Sequence, residues 1–130
     1  PALVALGMTR YWRAADGLRL DVAPFAAALE SASGARAVVL GKPAVTFFEA
    51  ALGRLGATAE DAVMIGDDIV GDVQGAQRAG IRGVLVRTGK FRDADLEGPI
   101  RPDAVLDSIA DLPEWLSARD EQAAEGRQRP

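Results

Sequence analysis

Three carboxylates crowd together in the segment 63–80, VMIGDDIVGDVQGAQRAG, just where an apolar run ends. Asp67 and Asp68 are adjacent, and Asp72 follows four residues after Asp68. Clustered carboxylates repel one another unless something positive lies between them. Mg²⁺ suits such a cluster, because it takes hard oxygen ligands and tolerates one or two carboxylates plus water and phosphate. The alternative is that Asp67 or Asp68 caps a following helix, which accounts for one aspartate but not three. Spacing alone leaves both interpretations open.

A lysine upstream of the carboxylates is the second chemical feature. Lys42 lies between Gly41 and Pro43, after an apolar run and before a helical pattern. Its ammonium could reach an anion at the edge of a sheet. The alternative is that Lys42 is an ordinary loop lysine with no role in binding. The chain contains no cysteine and no histidine, which excludes disulfides and cysteine-ligated zinc and removes the usual general base. Any chemistry therefore depends on carboxylates, lysine, hydroxyls and backbone amides.

The composition indicates one compact domain and argues against two classes of partner. The chain has 130 residues, 48% of them hydrophobic, which is enough for a core. Its formal net charge of −4 offers no basic surface for nucleic acid or an anionic membrane. No apolar run approaches the ~20 residues of a membrane span, and residues 1–7 lack the basic start of a signal peptide. We expect a cytoplasmic protein with no nucleic-acid or membrane partner.

Short apolar runs and turn signals predict the strands that must position these side chains. Residues 9–20 predict a hairpin that turns at Asp16-Gly17. Further strands are expected at residues 2–6, 36–40, 62–65, 83–86 and 103–108.

Helical signals lie between these runs. The first helix is expected from Pro24, a favoured first helical residue, to Ser33, with Gly34 as its stop. The second ends at Gly56. Its apolar stripe comprises Phe47, Phe48, Ala51, Leu52 and Leu55.

Two more helices follow further along the chain. One comes directly after the carboxylates, where Gly71 and Gly75 share a face with Ala79 and predict close packing against a sheet. A short one is expected within residues 109–116. Residues 118–130 are polar and predicted to be disordered.

The alternation of strands and helices from residue 36 onward predicts an α/β fold with a Rossmann-like parallel sheet. In such sheets, ligands bind beyond the carboxyl ends of the strands. Asp67 and Asp68 follow the predicted strand at residues 62–65 directly. Their position therefore favours a site.

The two chemical segments together resemble a known family. GKP at residues 41–43 and VMIGDDIVGD at residues 63–72 are similar to the third and fourth motifs of haloacid dehalogenase (HAD) superfamily phosphatases. TRYWRAADGLRLDVAPFAAALE before them resembles the last part of the α/β cap of subfamily IIA, the NagD-like and phospholysine-phosphohistidine-pyrophosphate phosphatase-like enzymes. The resemblance covers about residues 2–116. It implies a cap remnant at residues 1–40 and the carboxyl-terminal half of the HAD core at residues 41–117, with the tail at 118–130.

The resemblance implies a role for each site residue. Asp67 would bind Mg²⁺, and Asp68 would support the metal directly or through water. Asp72 would orient metal-bound water or Lys42, and Lys42 would bridge a nucleophilic aspartate and the substrate phosphate. The family hydrolyses small phosphate esters through an aspartyl-phosphate, so phosphohydrolase activity on a phosphorylated metabolite is the expected function.

Residues of the cap remnant and of one core loop are weaker site candidates. By position they could face the substrate, or they could instead pack the cap, its dimer surface or the loop. They are Tyr11, Trp12 and Arg13 in the cap remnant, and Thr88 and Lys90 after a later strand.

The chain departs from the family pattern in one respect. The family's nucleophile lies in a DxDGT-type motif before the cap, and a phosphate-binding Ser or Thr follows it, but neither motif is present here. The single D-x-D is Asp93-Ala94-Asp95, which has no strand before it and is predicted to lie on the surface. We therefore predict half of an enzyme, inactive alone, whose open sheet edge pairs with the missing half or in a homodimer.

Two other functions remain in view. One is a non-catalytic binding or scaffolding fragment of HAD ancestry. The other is a receiver-like phosphoacceptor module, which the order of residues disfavours, because receivers place their acidic pair first and their lysine last, whereas Lys42 precedes Asp67.

Overall fold

The computed structural model describes residues 2–127 of the chain. Its strands are, in chain order, β1 (Leu3–Ala5), β2 (Tyr11–Ala14), β3 (Gly17–Leu20), β4 (Ala37–Val39), β5 (Val63–Gly66), β6 (Arg82–Val86) and β7 (Ala104–Leu106). Its α-helices are α1 (Val22–Ser33), α2 (Val45–Leu55), α3 (Gly75–Arg78), α4 (Ala94–Glu97) and α5 (Leu112–Arg127). A π-helical turn (Ile69–Gln74) leads into α3, and a 3₁₀ turn (Ile109–Asp111) leads into α5.

The strands form three separate sheets in the described part of the chain. β5, β6 and β7 make a parallel sheet with β6 in the middle, β1 pairs in parallel with β4, and β2 with β3 form an antiparallel hairpin. The predicted α/β class with parallel strands is confirmed. The prediction that the run at 36–40 joins the same sheet as the later strands was wrong, because β4 aligns Val38 with Val4 of β1 instead.

The parallel sheet holds the best-buried part of the molecule. β6 (RGVLV) is a nearly continuous apolar run, as expected for a central parallel strand covered on both faces. Val84 and Leu85 are fully buried, as is Val73 of the π-helical turn. Phe48 of α2 packs with Ala76 and Ile81 in the adjoining core cluster. The site is therefore built on the best-buried part of the molecule.

Close packing of the helical segment against the sheet depends on a glycine of the strand. A Cβ on Gly83 in β6 would lie 2.9 Å from the Val73 Cα. Gly75, predicted to pack on the sheet, instead faces the Phe48 ring, where a Cβ would come within 2.8 Å. A Cβ on Gly71 would meet the Asp68 carboxylate at 3.1 Å. The close approach was thus predicted at the wrong glycines.

Helix α2 contacts the core over a narrower face than its stripe predicted. Phe48 is buried and Leu52 is packed against the core cluster, but Phe47 and Leu55 are exposed. In the described structure α3 is the main helical neighbour of α2, so only part of the stripe finds a packing partner. Gly56 ends the helix in a left-handed conformation, as predicted.

The amino-terminal segment follows its prediction with small shifts of boundary. Helix α1 begins two residues before Pro24, because the Asp21 side chain accepts a hydrogen bond from the Val22 N–H and caps it. Gly34 ends α1 as expected. In the hairpin Ala14 pairs with Gly17, so the turn is centred on residues 15–16 rather than on 16–17.

The carboxyl-terminal segment differs from the predicted disordered tail at residues 118–130. Helix α5 continues to Arg127, and the last three residues lie outside the described part. The segment is polar, but alanine, glutamate, glutamine and arginine are all good helix formers. Within residues 2–127, no helix is long and apolar enough to cross a membrane.

Candidate active site

The carboxylates lie at the carboxyl ends of the parallel strands, the edge at which sheets of this kind bind ligands. Strand β5 ends at Gly66, and Asp67 and Asp68 follow at its carboxyl end. The loop after β6 returns to the same edge and brings Lys90 beside both aspartates. This juxtaposition follows from the fold, because neighbouring parallel strands end at one edge.

Asp72 and Lys42 form a direct ion pair at this edge. The Lys42 Nζ lies 2.6 Å from the Asp72 Oδ1, although the two residues are thirty positions apart. The Asp72 residue is 3% exposed, and its Oδ2 also accepts a hydrogen bond of 3.2 Å from the Asp68 N–H. Gly66 makes room for it, since a Cβ there would overlap the Asp72 carboxylate. Of the two roles predicted for Asp72, orienting metal-bound water or orienting Lys42, the second requires this contact, and the role itself stays a prediction.

Asp68 caps the π-helical turn. Its Oδ1 accepts hydrogen bonds from the Val70 N–H at 3.1 Å and the Gly71 N–H at 2.9 Å. Its Oδ2 forms an ion pair of 3.1 Å with the Lys90 Nζ. Burial raises the pKa of the Asp68 carboxyl, but the Gly71 N–H and the Lys90 ammonium outweigh burial and lower the pKa below its ordinary value. The capping alternative therefore describes Asp68.

Asp67 is held differently from its neighbour. Its Oδ2 accepts a hydrogen bond of 2.8 Å from the Lys90 N–H, which is the one hydrogen bond to this carboxylate within the described residues. Gly89 permits the approach, because it has φ +55° and a Cβ on it would overlap the Asp67 carboxylate. The Asp67 Oδ1 accepts no hydrogen bond from the described residues, and Asp67 lines an open cleft.

That cleft lies between the amino-terminal segment and the sheet. Its volume is about 350 Å³. The residues that line it carry both charges and apolar surface, and they are Met8, Thr9, Arg10, Tyr11, Pro43, Asp67, Asp68, Ile69, Val70, Gly71, Lys90, Arg92 and Asp95. Four of them precede residue 12, so the amino-terminal segment and the loops at the sheet edge both contribute to this cleft.

Of the three predicted substrate-facing residues, one lines the cleft. Tyr11 does, with its ring centroid 5.9 Å from the Lys90 Nζ. Trp12 points to the other face of the hairpin, where Arg19 lies 5.7 Å from its ring centroid. Arg13 is exposed, further along the strand and away from the cleft. Neither Trp12 nor Arg13 lines this cleft, so their predicted contact with substrate gains no support from its geometry.

The loop after β6 contributes more than expected. Lys90 lines the cleft, whereas Thr88 does not and only accepts a hydrogen bond from the Phe91 N–H through its carbonyl. Arg92 also lines the cleft and was missed, although its place two residues after Lys90 in the same strand-end loop was a usable signal. The ion pair of Arg92 with Asp95, at 2.8 Å, raises the pKa of the Arg92 guanidinium.

The D-x-D pair was predicted to lie on the surface, and the structure agrees for only one of its members. The Asp93 side chain is exposed, but Asp95 is buried and accepts hydrogen bonds from the Arg92 N–H and guanidinium. The short helix α4 brings Asp95 inward beside Arg92. Both carboxylates follow loop residues rather than a strand end, so the motif differs from the family nucleophile in setting as well as in sequence.

The donor set fits Mg²⁺ as part of a site. Among residues 2–127, no three side chains of His, Cys, Asp or Glu are grouped to hold a metal ion. Asp67 nevertheless offers a free carboxylate oxygen in a polar cleft, in a cradle that a Cβ on Gly89 would fill. Mg²⁺ is commonly bound by one or two carboxylates while water and phosphate complete its shell. Asp67 can supply one such ligand.

Comparison with known proteins places this arrangement in a family. Residues 39–112 match the HAD-hydrolase-like family model. Over 117 residues the chain is 50% identical to the human phospholysine phosphohistidine inorganic pyrophosphate phosphatase, covering 89% of this chain and 43% of that protein.

Solved structures show the same fold. The p-nitrophenyl phosphatase from Archaeoglobus fulgidus is 31% identical with a TM-score of 0.77, covering 87% of this chain and 46% of that one. NagD from E. coli K-12 is 26% identical with a TM-score of 0.70, covering 84% and 43%. The chain thus spans less than half the length of the relatives that it matches. It belongs to the HAD-like hydrolases, within the NagD-like subfamily IIA.

Proposed function

We propose that this chain supplies the carboxyl-terminal half of a Mg²⁺-dependent phosphohydrolase that acts on a small phosphorylated metabolite in the cytoplasm. The observation that carries the proposal is the convergence of the Lys42–Asp72 ion pair and the free oxygen of Asp67 at one sheet edge. The names of its relatives suggest phosphoamidates, pyrophosphate and aryl phosphates as candidate substrates.

We propose that the ammonium of Lys42 neutralises negative charge in the site. Asp72 fixes its ammonium with a contact of 2.6 Å, while the Lys42 side chain remains 39% exposed. Its other N–H groups are therefore available to a substrate phosphate and to a nucleophilic carboxylate. Phosphoryl transfer depends mainly on positioning and on neutralising the charge of the transferred group, which a fixed ammonium provides.

Asp67 is the proposed Mg²⁺ ligand. When bound, the ion would neutralise charge on the phosphoryl group. The geometry gives less support to Asp68 as a direct ligand, because two backbone N–H groups and the Lys90 ammonium already engage its carboxylate. We propose that Asp68 acts indirectly, by fixing the turn that carries Asp72.

We propose that the nucleophile is supplied by another polypeptide segment. In the proposed reaction an aspartate oxygen forms a bond to phosphorus while the ester P–O bond breaks, and the leaving oxygen takes a proton from water and departs as the alcohol. Water then hydrolyses the aspartyl-phosphate to phosphate and the regenerated carboxylate. We propose that the segment carrying this aspartate pairs with the free edge of β5. The 130-residue chain alone is then expected to be inactive.

A non-catalytic role is the second candidate. The absence of a three-residue metal group within residues 2–127, together with a Lys42–Asp72 ion pair that would persist without catalysis, suits a binding or scaffolding fragment. Such a fragment would bind phosphate esters or a protein partner without turning them over.

Calorimetric titration with Mg²⁺ tests the metal assignment. We expect Asp67→Asn to weaken Mg²⁺ binding at least tenfold, since it removes the charge and one oxygen of the proposed ligand. Asp107→Asn is the matched control, because Asp107 also follows a strand end but pairs with Arg87 away from the cleft. Equal affinity of the Asp67→Asn variant and the parent chain would refute the assignment.

A further inference from the structure

The ammonium of Lys90 is enclosed rather than free. Asp68 Oδ2 lies 3.1 Å from the Lys90 Nζ, and the Tyr11 ring centroid lies 5.9 Å from it. The Lys90 side chain is only 18% exposed and that of Asp68 only 23%. A lysine that recruits an anionic substrate needs an accessible side chain, and that of Lys42 is 39% exposed. Lys90 is therefore better suited to hold other residues in place than to bind substrate itself.

Lys90 also contacts the second carboxylate, but through its backbone. Its N–H donates to the Asp67 Oδ2 at 2.8 Å, and the left-handed Gly89 before it brings the chain against that carboxylate. One residue thus engages two adjacent aspartates with two different groups. The side chain neutralises Asp68, whereas the backbone fixes one oxygen of Asp67 and leaves the other free.

We propose that Lys90 is a positioning residue that divides the adjacent aspartates between two roles. By pairing with Asp68 it keeps that carboxylate on the helical cap and away from the cation, so that Asp67 alone presents a free oxygen to Mg²⁺. Without this pairing, two carboxylates would compete for one cation at the strand end. The inference rests on the proposed function. It adds a role for Lys90, which lies outside the motifs around Lys42 and Asp67.

The first experiment tests the contact without any metal. A double-mutant cycle would compare the unfolding equilibrium of the chain with those of Lys90→Met, Asp68→Asn and the double variant. We expect the two changes to be coupled by about fivefold in the equilibrium constant, as for a half-buried ion pair. Strict additivity would overturn the proposed contact.

The second experiment tests the division of roles by Mg²⁺ titration. Lys90→Met releases Asp68 and removes a nearby positive charge, so Mg²⁺ should bind about tenfold more tightly. The double variant Lys90→Met/Asp68→Asn restores the formal charge of the parent and should return the affinity to within about threefold of it. Lys90→Arg keeps the charge and should resemble the parent.

Arg87→Met is the matched control for both experiments. Arg87 begins the same loop but pairs at 3.4–3.6 Å with the exposed Asp93 and Asp107, and its loss should leave the affinity for Mg²⁺ unchanged. If Asp67→Asn abolishes Mg²⁺ binding but Lys90→Met does not tighten it, this inference fails while the proposed function stands. If Asp67→Asn leaves Mg²⁺ binding intact while the cycle shows coupling, the proposed metal site fails instead.

Discussion

Two regions of the molecule, the β5–β6–β7 sheet and the β2–β3 hairpin, both contain leucine-bearing strands but bury them to different extents. In the β5–β6–β7 sheet, the side chain of Leu85 is completely buried. In the β2–β3 hairpin, Leu20 is 62% exposed, and every residue of β3 faces solvent in the described structure. The sheet meets its own packing requirements, whereas the amino-terminal strands present an apolar surface.

The difference shows where the site obtains its precision. The fixed side chains Asp67, Asp68 and Asp72 come from the buried sheet and the turn that packs on it. The amino-terminal segment contributes the opposite wall of the cleft, in which Tyr11 approaches Lys90. The three carboxylates therefore come from the well-buried region, and the exposed amino-terminal segment supplies one wall of the cleft.

Truncating a leucine in each region gives the largest expected contrast. Leu85→Ala should cost about 3 kcal/mol of unfolding free energy, since it leaves a cavity in a close-packed layer. Leu20→Ala should cost less than about 0.5 kcal/mol, because its side chain is mostly exposed. Urea denaturation of both variants measures the difference, and similar losses would show that the hairpin is packed in solution, contrary to the comparison.

The ion pair at the sheet edge should have the next largest effect. Asp72→Asn removes a charged acceptor from a buried position and leaves Lys42 without its partner. We expect a loss of about 2 kcal/mol in unfolding free energy, in the range for hydrogen bonds to charged groups. Asp107→Asn, at an exposed strand end, should lose less than about 0.5 kcal/mol. An Asp72→Asn variant with an unchanged free energy of unfolding would remove the structural basis for the role of Lys42.

Gly89 and Gly34 both have a left-handed backbone, but only Gly89 lies beside the site. Comparing them separates the cost of backbone strain from an effect on site geometry. Gly89→Ala and Gly34→Ala should each cost about 1 kcal/mol, because both glycines have positive φ. Only at Gly89 would the new Cβ meet a carboxylate, that of Asp67, whereas nothing lies within 4 Å at Gly34. Gly89→Ala should therefore also weaken Mg²⁺ binding in a titration. Equal Mg²⁺ affinities in the two variants would contradict the proposed cradle.

The smallest expected effect is a pH dependence carried by Asp68. The pKa of the folded state lies below the ordinary 3.8, so the unfolded chain binds the proton more readily. The stabilisation is then fully present above about pH 4 to 5 and is lost as the pH falls through the folded pKa. The stability difference between the parent and Asp68→Asn should shrink below pH 4. A difference that stays constant down to pH 2 would show that Asp68 is not stabilised as a carboxylate.

Sequence predicted the parts of the site that lie within a motif. The strand-end position of Asp67 and Asp68, and the pairing of Asp72 with Lys42, followed from apolar runs, glycines and family resemblance. The different contacts of Asp67 and Asp68 could not be predicted in this way, because they depend on Lys90, more than twenty residues later. Contacts across a sheet edge leave no local pattern in the sequence.

The fold was predictable to a similar extent. Helix ends at Gly34 and Gly56 and the hairpin followed from local signals. The pairing of β4 with β1 was missed, since a short apolar run does not indicate its partner. Trp12 follows Tyr11 directly, so its side chain points to the other face of the hairpin, whereas Arg13 lies on the face of Tyr11 but is not among the residues that line the cleft.

Phosphate release from p-nitrophenyl phosphate tests the central claim most directly. The chain would be assayed with and without Mg²⁺, alone and fused behind the amino-terminal portion of the human relative that it does not cover. We predict no turnover by the chain alone, and Mg²⁺-dependent turnover by the fusion that is lost in its Asp67→Ala and Lys42→Ala variants but kept in Arg87→Met. Mg²⁺-dependent turnover by the isolated chain, or a fusion indifferent to Asp67, would contradict the account.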